Sequence, residues 1–161
     1  GGVEHADSDN VIDSLEVPGL EVTAPEDTED GIVEVEIQNP QGTHVVTLPV
    51  SSTENTGGKY VQPVDQLNGN MIYQPALISG KKGVQLNTGH EFYQKMYLPH
   101  KNNRAVTLGL DGLFWALSMA ELKTIPHSEQ AIWFEDLRWE LTRIMSRFSN
   151  ELPEVDDSED D

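Results

Sequence analysis

The sequence predicts one α+β domain, a small and mostly antiparallel sheet covered by a C-terminal antiparallel helical hairpin. Apolar and polar residues alternate from Ile32 onwards, which is the period of a half-buried strand. Between residues 104 and 151, apolar residues recur at spacings of three and four, which is the period of helices with apolar seams. A sheet with one apolar face needs an apolar cover, and the two helices supply it.

The acidic charge of the chain is concentrated at its two ends. Of the 28 Asp and Glu residues, ten lie in residues 1–31 and seven in residues 150–161, and neither segment contains Lys or Arg. Residues 32–149 hold the other eleven acids and all ten bases, so this part is nearly neutral. We therefore expect a disordered acidic linker over 1–31, a single domain over 32–152 and a disordered acidic tail over 153–161.

Composition also bears on partners and on location. Phosphate contacts need clustered Lys and Arg, and only Lys81-Lys82 and the pair Lys101 and Arg104 come close to a cluster, so direct nucleic-acid binding is not expected. The absence of Cys rules out disulfides and Cys-based zinc sites and fits a cytoplasmic location. No apolar run approaches the length of a membrane span, so no membrane partner is expected. The chain begins with Gly rather than Met, which indicates a piece of a longer protein.

The strands follow from alternation and from turn residues. Residues 32–38 and 43–50 are predicted to form a hairpin around Asn39-Pro40-Gln41-Gly42, where Pro and Gly suit a tight turn. Further extended segments are expected at residues 61–67, 71–78 and 83–87. Pro75 has no N–H to donate, which predicts an edge position or a bulge for its strand.

Two helices end the domain, the first beginning at Arg104. Pro126 prevents one continuous helix, and Ser128 is a suitable N-cap for the second. A short connection of this kind makes the helices antiparallel neighbours. The predicted seams are Val106, Leu110, Leu113, Leu117 and Ala120 on the first helix, and Phe134, Leu137, Leu141, Ile144 and Phe148 on the second.

Both helices carry more apolar residues than one seam each requires. The surplus must cover the sheet, meet another chain, or do both, and Trp is enriched at the energetic centres of protein interfaces. The sequence therefore predicts a protein-contact surface on the helices. Its candidate residues are Phe114, Trp115, Met119, Trp133 and Trp139.

The sequence contains no recognisable catalytic or metal-binding motif. The five His residues include no i, i+4 pair and no HExxH, and no P-loop, GxGxxG or GxSxG is present, so no metal or cofactor is expected. The alternative to an interaction module is a small ligand-binding or enzymatic domain centred on His90 and Tyr93, with Lys81-Lys82 nearby. His90 lies at the start of a short helix that Asn87 or Thr88 is expected to cap, where it can equally fix the turn by a bond to a nearby carbonyl.

The segment Val84-Gln85-Leu86-Asn87-Thr88-Gly89-His90-Glu91-Phe92-Tyr93-Gln94-Lys95-Met96-Tyr97 resembles one found in bacterial and phage ATP-binding proteins of the histidine-kinase-like (GHKL) superfamily. In those proteins a strand ends in Asn and is followed by His-Pro-Phe-Tyr and a short helix. Asn87, His90, Phe92 and Tyr93 match this pattern, and Glu91 stands where Pro is usual. The likeness extends over roughly residues 70–153, including the helical pattern.

The resemblance implies that the chain is a non-catalytic C-terminal module downstream of an ATPase domain. The superfamily's Glu/Asn box and Asp-x-Gly-x-Gly lid are absent, so this chain is not expected to be an enzyme itself, and residues 1–31 would link it to the ATPase. Such proteins commonly work as dimers. The expected partner is therefore a second copy or the parent's ATPase domain. A further interpretation is that the acidic tails attract a basic partner.

Overall fold

The computed structural model describes residues 11–12, 15–23, 31–51, 60–125, 127, 129 and 131–154. Six strands lie within these ranges: β1 (Glu21–Thr23), β2 (Gly31–Asn39), β3 (Gly42–Ser51), β4 (Val61–Val64), β5 (Tyr73–Ile78) and β6 (Lys81–Asn87). A 3-10 turn at Asn68–Asn70 precedes β5, and a π-helical turn at Tyr93–Tyr97 follows β6. Two α-helices complete the fold, α1 (Arg104–Thr124) and α2 (Ala131–Asn150). The predicted α+β class is confirmed.

The sheet is larger and more mixed than the sequence predicts. Its strand order is β1-β2-β3-β5-β6-β4, and the pairs β3–β5 and β4–β6 are parallel. Strands joined by tight turns pair antiparallel, as in β2–β3 and β5–β6. The chain leaves β3, forms β4 at the far edge and only then returns as β5, and this crossing produces the parallel pairs.

The predicted β2–β3 hairpin is confirmed. Its register runs from Gly31 opposite Val50 to Asn39 opposite Gly42, so the turn contains two residues. Val35 and Ile37 are buried, whereas Glu34 and the other intervening side chains of β2 are exposed. The alternation therefore reports the two faces of β2 correctly.

Pro75 lies in a central strand, not at the edge that its type predicts. Opposite it in β6, Val84 directs its N–H away from β5, to the carbonyl of Tyr60 (2.7 Å). Two residues directly opposite each other in an antiparallel pair direct their backbone N–H and C=O groups either towards each other or both away. The nitrogen of Pro75 therefore points away from β6, towards β3. The pairing of β3 with β5 begins only at Leu77. Pro75 is tolerated because no strand hydrogen bond is needed at its position.

Described residues before the predicted boundary at residue 32 also pack with the sheet. β1 forms the edge of the sheet beside β2, and Ile12 and Leu20 are buried in the core. Glu16 and Glu21, the acidic residues of this segment that the structure describes, are exposed, and a composition average conceals the buried apolar residues between and beside them. Residues 1–10, 13–14 and 24–30 of the predicted linker lie outside the described residues, as do residues 155–161 of the predicted tail.

Helix α1 is the cover of the sheet. It packs on β2, β5 and β6 and buries Phe114, Trp115 and Met119. The ring of Phe114 lies 5.3 Å from that of Tyr73 and 6.1 Å from that of Phe92, measured between centroids. Full burial of a large apolar side chain stabilises a fold by about 1.5–3 kcal/mol, so these three residues are major contributors to the core.

Both ends of α1 are capped by Asn side chains. At the N-terminus, Asn103 Oδ1 accepts a hydrogen bond from the N–H of Val106 (3.2 Å). At the C-terminus, the side-chain amide of Asn39 donates to the carbonyls of Leu122 (2.8 Å) and Ile125 (2.9 Å). The β2–β3 turn thus supplies donors to helix carbonyls that would otherwise have none.

Substituting Asp for each Asn tests the two caps with the same chemical change. Asn39→Asp removes two donors and places a carboxylate at the negative end of the helix dipole, so we expect a loss of about 2–3 kcal/mol in the free energy of unfolding. Asn103→Asp keeps its acceptor at the positive end, and we expect a change within about 0.5 kcal/mol. Urea unfolding followed by circular dichroism measures both. Equal losses would contradict the assigned role of Asn39.

Candidate interaction surface

Helix α2 is docked through polar residues. Its fully buried side chains are Arg138, Thr142 and Ser149. Partly buried apolar residues of α2 add to the contact with the core: Ala131, Phe134, Leu141 and Met145. A helix that places its polar residues inwards turns the rest of its apolar residues outwards, and this decides the character of the surface.

A buried ion pair joins the two helices. Arg138 Nε donates to Glu121 Oε1 on α1 (3.1 Å), and the hydroxyl of Tyr73 donates to Glu121 Oε2 (2.5 Å). Arg138 Nη1 also donates to the sulfur of Met71 (3.1 Å). Burial raises the pKa of the Glu121 carboxyl above its ordinary value, and Arg138 and Tyr73 oppose that shift. Burial, reinforced by Glu121, also raises the pKa of Tyr73, so the phenol remains a donor.

Thr142 ties α2 to both ends of the β5–β6 hairpin. Its hydroxyl accepts a hydrogen bond from the N–H of Ile72 (3.0 Å), just before β5. Its carbonyl lies 3.1 Å from Nε2 of His90, just after β6. Nδ1 of His90 accepts from the N–H of Phe92 (3.0 Å), so Nε2 carries the proton and donates to Thr142. Both ring nitrogens of His90 are therefore engaged in fixed bonds.

The four residues of the family-like motif form the buried junction between β6 and the helices. Asn87, His90, Phe92 and Tyr93 are all buried. The Asn87 amide donates to Asn70 Oδ1 and to the Met71 carbonyl, each at 3.0 Å. The first helical turn is capped by His90 Nδ1, rather than by Asn87 or Thr88 as predicted, because the two-residue turn Thr88-Gly89 delays the start of the helix.

Trp139 packs directly on Gly69 in the 3-10 turn. Gly69 has φ +63°, and a Cβ atom at this position would lie 1.7 Å from Cη2 of Trp139. Glycine is thus required twice, by the left-handed backbone and by the indole above it. Trp139, a predicted interaction residue, is half-buried in this contact.

Most of the exposed large apolar residues on the two helices belong to the predicted seams, and the predicted surplus adds only Ile132 and Trp133. Leu137, Ile144 and Phe148 on α2 are 60%, 62% and 49% exposed, and Leu113 on α1 is 54% exposed. Of the predicted contact residues, only Trp133 is strongly exposed, at 68%. Phe114, Trp115 and Met119 lie in the core and Trp139 is half-buried, so these four do not form an open surface.

Apolar residues lie within one helical turn of each partner of the Glu121–Arg138 pair. Leu117 lies one turn before Glu121 on α1, and Phe134 and Leu141 lie one turn to either side of Arg138 on α2. Residues three or four apart share a helix face, so these side chains flank the ion pair. We define the outer apolar face by its members on the two helices: Leu110, Leu113, Leu117, Trp133, Leu137, Leu141, Ile144 and Phe148.

The alternative site around His90 and Tyr93 is not brought together with Lys81-Lys82. The two lysines border an open cavity of about 820 Å³ between residues 15–22 and the sheet, with Ile12 and Trp115 at its wall. His90 and Tyr93 do not line this cavity. In the part of the chain that the structure describes, no three His, Asp or Glu side chains are grouped so that they could hold a metal ion.

By length and mean hydropathy alone, α1 could cross a membrane, although the sequence pattern shows no uninterrupted apolar run. The helix has 21 residues, and the mean hydropathy of its most apolar window is 1.3. In the fold, 44% of that window is buried, and the buried face includes Asp111, Ser118 and Glu121. The core helix of a folded domain meets the same two criteria, so this is weak support for a membrane span.

Comparisons of the chain with protein-family models, with curated proteins and with solved structures gave no match. The resemblance of residues 84–97 to the GHKL superfamily therefore stays a prediction.

Breaking the buried ion pair is expected to destabilise the domain strongly. Arg138→Met leaves the Glu121 carboxylate buried without its cation, at a cost of about 3–5 kcal/mol in the free energy of unfolding. Arg143→Met, the control, removes an exposed arginine paired with Glu140 and is expected to cost less than about 1 kcal/mol. Denaturant unfolding measures both variants.

The stability loss of Arg138→Met is expected to depend on pH, because the carboxyl of Glu121 can take up a proton. The folded-state pKa of Glu121 is raised, so proton uptake favours the folded state as pH falls towards the ordinary value of 4.5. The deficit of the variant should therefore shrink between pH 8 and pH 5. Glu121→Gln added to Arg138→Met should recover part of the loss. A deficit that is constant with pH and unchanged by Glu121→Gln would contradict this account.

The Gly69–Trp139 contact can be separated from backbone strain. Gly80 also has positive φ (+77°), but a Cβ there would meet nothing within 4 Å. Gly80→Ala is expected to cost about 1 kcal/mol from strain alone, and Gly69→Ala about 2–4 kcal/mol because the indole must also move. Adding Trp139→Ala should remove most of the difference. Equal costs for the two single variants would show that Trp139 does not press on Gly69.

Proposed function

We propose that this chain is a non-catalytic interaction module that self-associates through the outer apolar face of α1 and α2. The observation that carries the proposal is the orientation of α2, whose buried side chains are polar and whose exposed side chains include Trp133, Leu137, Ile144 and Phe148. Such an orientation leaves a large apolar area in water unless another surface covers it.

The area of the face matches what an interface between two proteins needs. Its six strongly exposed members, on both helices, are 36–68% exposed. Taking roughly 150–250 Å² for a large side chain, they leave about 500–800 Å² accessible. A stable interface takes about 800 Å² from each partner, and the largest apolar patch on an ordinary monomer is about 300–600 Å².

Among the described residues nothing covers this face, and the composition of the other segments does not suit them to do so. The segments outside the described residues are short, polar and acidic, and their only large aliphatic residues are Val3 and Val155. Burying several Leu, Ile, Phe and Trp side chains requires apolar surface of comparable extent. The cover must therefore come from another chain or from a further part of a longer one.

A non-catalytic role agrees with the contacts of His90. A general base must be within reach of a substrate, but His90 is fully buried, and its two ring nitrogens bond to Phe92 and Thr142. We therefore assign the motif a structural role, fixing α2 to the sheet. If the GHKL resemblance holds, the module lies C-terminal to an ATPase domain and contributes to its pairing, and that domain is the alternative partner.

Sedimentation of the protein over a wide concentration range tests self-association. We expect a reversible dimer, with a blue shift of tryptophan emission as Trp133 becomes buried. Leu137→Glu or Ile144→Glu should shift the protein to monomer without loss of folded stability, because both side chains are exposed in the monomer.

The matched control is Ile32→Glu, which introduces the same charge at an apolar residue that is 73% exposed on β2, outside the outer apolar face. It should leave association unchanged. A protein that remains monomeric at millimolar concentration would overturn self-association. Equal weakening by all three variants would show that net charge, not this face, controls association.

A further inference from the structure

The spacing of the apolar residues along α2 indicates how two copies can pair. Phe134, Leu137, Leu141, Ile144 and Phe148 follow the alternating spacings of three and four that define the a and d positions of a heptad. In such a pairing, the residues just outside the seam, at e and g, contact the partner helix and select its direction.

One flank of the α2 seam is already occupied by its own domain. The e positions are Arg138, buried against Glu121, and Met145, packed against the core. The g positions are Trp133, Glu140 and Arg147, which are all exposed. Only the g flank is therefore open to a partner.

This asymmetry distinguishes the two possible directions of pairing. In a parallel pair, g residues contact e residues of the other helix, and here those are not accessible. In an antiparallel pair, g residues contact g residues. With Leu141 opposite Ile144 and Leu137 opposite Phe148, Glu140 of each copy lies beside Arg147 of the other. The two-fold axis makes this favourable pair twice.

The acidic C-terminal residues favour the same direction. Seven acids follow within residues 150–161, directly after α2. A parallel pair would bring together the two C-terminal ends of α2, where these acids begin, whereas an antiparallel pair separates those ends by about the 30 Å length of a 20-residue helix. Like charges held that far apart are largely screened at physiological salt.

We propose that two copies pair through antiparallel α2 helices, in the register set by Leu141 against Ile144 and by reciprocal Glu140–Arg147 contacts. This inference rests on the proposed self-association and adds its geometry.

A charge reversal separates this register from general electrostatics. The chain carries a net charge of -18, so a general effect of Glu→Lys is to relieve repulsion and strengthen association. In the proposed register, Glu140→Lys instead faces Arg147 and should raise the apparent dissociation constant at least about fivefold. The double variant Glu140→Lys/Arg147→Glu should return to within about twofold of the parent.

Glu135→Lys is the control, because it makes the same charge change at another exposed position of α2 that lies outside the seam. It should leave the dissociation constant unchanged or lower it. Equal effects of Glu140→Lys and Glu135→Lys, or no rescue in the double variant, would overturn the register while leaving self-association intact.

Cysteine cross-linking tests the direction independently, since the chain has no native Cys. A mixture of Leu137→Cys and Phe148→Cys proteins should form a disulfide between the two variants. Neither variant alone should cross-link efficiently, because in an antiparallel pair its two copies lie about 16 Å apart along the axis.

A parallel pair would give the reverse pattern, with each variant cross-linking to itself and little product in the mixture, and this would overturn the antiparallel direction. A strict monomer in sedimentation would overturn both proposals. The failure of the register and the failure of self-association are thus distinguished by separate measurements.

Discussion

The buried contact between Glu121 and Arg138 determines how the second helix sits on the domain. It holds α2 by a polar face, and the bonds of Thr142 to Ile72 and His90 continue the same line along the helix. The side chains on the opposite side of a helix docked in this way are exposed to solvent. The apolar residues on that side point outwards, and the outer apolar face follows from an electrostatic constraint inside the molecule.

A buried ion pair is a costly means of joining two helices. Its net contribution is commonly close to that of an apolar contact of equal volume, because both charges lose their hydration. What the pair adds is selectivity: Arg138 donates to Glu121 and to Met71, and a rotation of α2 that buried its apolar seam against α1 would break both bonds. The polar contacts leave the apolar seam of α2 exposed, whereas in a simple helical hairpin the seams of the two helices would pack against each other.

The sequence predicts the local elements well and their faces less well. Alternation in β2 and the apolar period from Arg104 onwards are local signals, and both lead to correct elements. Heptad spacing likewise identifies the seam residues, but spacing alone cannot say whether a seam faces its neighbour in the chain or another molecule. That choice depends on Arg138, whose partner Glu121 lies 17 residues away and carries no sequence signal of its own.

The lack of a sequence signal for distant contacts also explains why the strand of Pro75 is central rather than at an edge, and why Phe114 and Trp115 are buried. Pro75 in a central strand is acceptable only because β3 begins pairing two residues later, which is a property of the crossover and not of the residues around Pro75. Phe114 and Trp115 look like surplus when the sheet is expected to be small. In a six-stranded sheet they are needed as cover, and the surplus shifts to Trp133 and the seams.

The cap that Asn39 provides also bears on the order in which the domain can form. The carbonyls that it binds are 83 and 86 residues further along the chain, so the last turn of α1 is completed only after a long loop has closed. During synthesis the β2–β3 hairpin leaves the ribosome long before its helical partner exists. Contacts of such separation form late and slow folding, so the hairpin and the helix end become native together rather than one after the other.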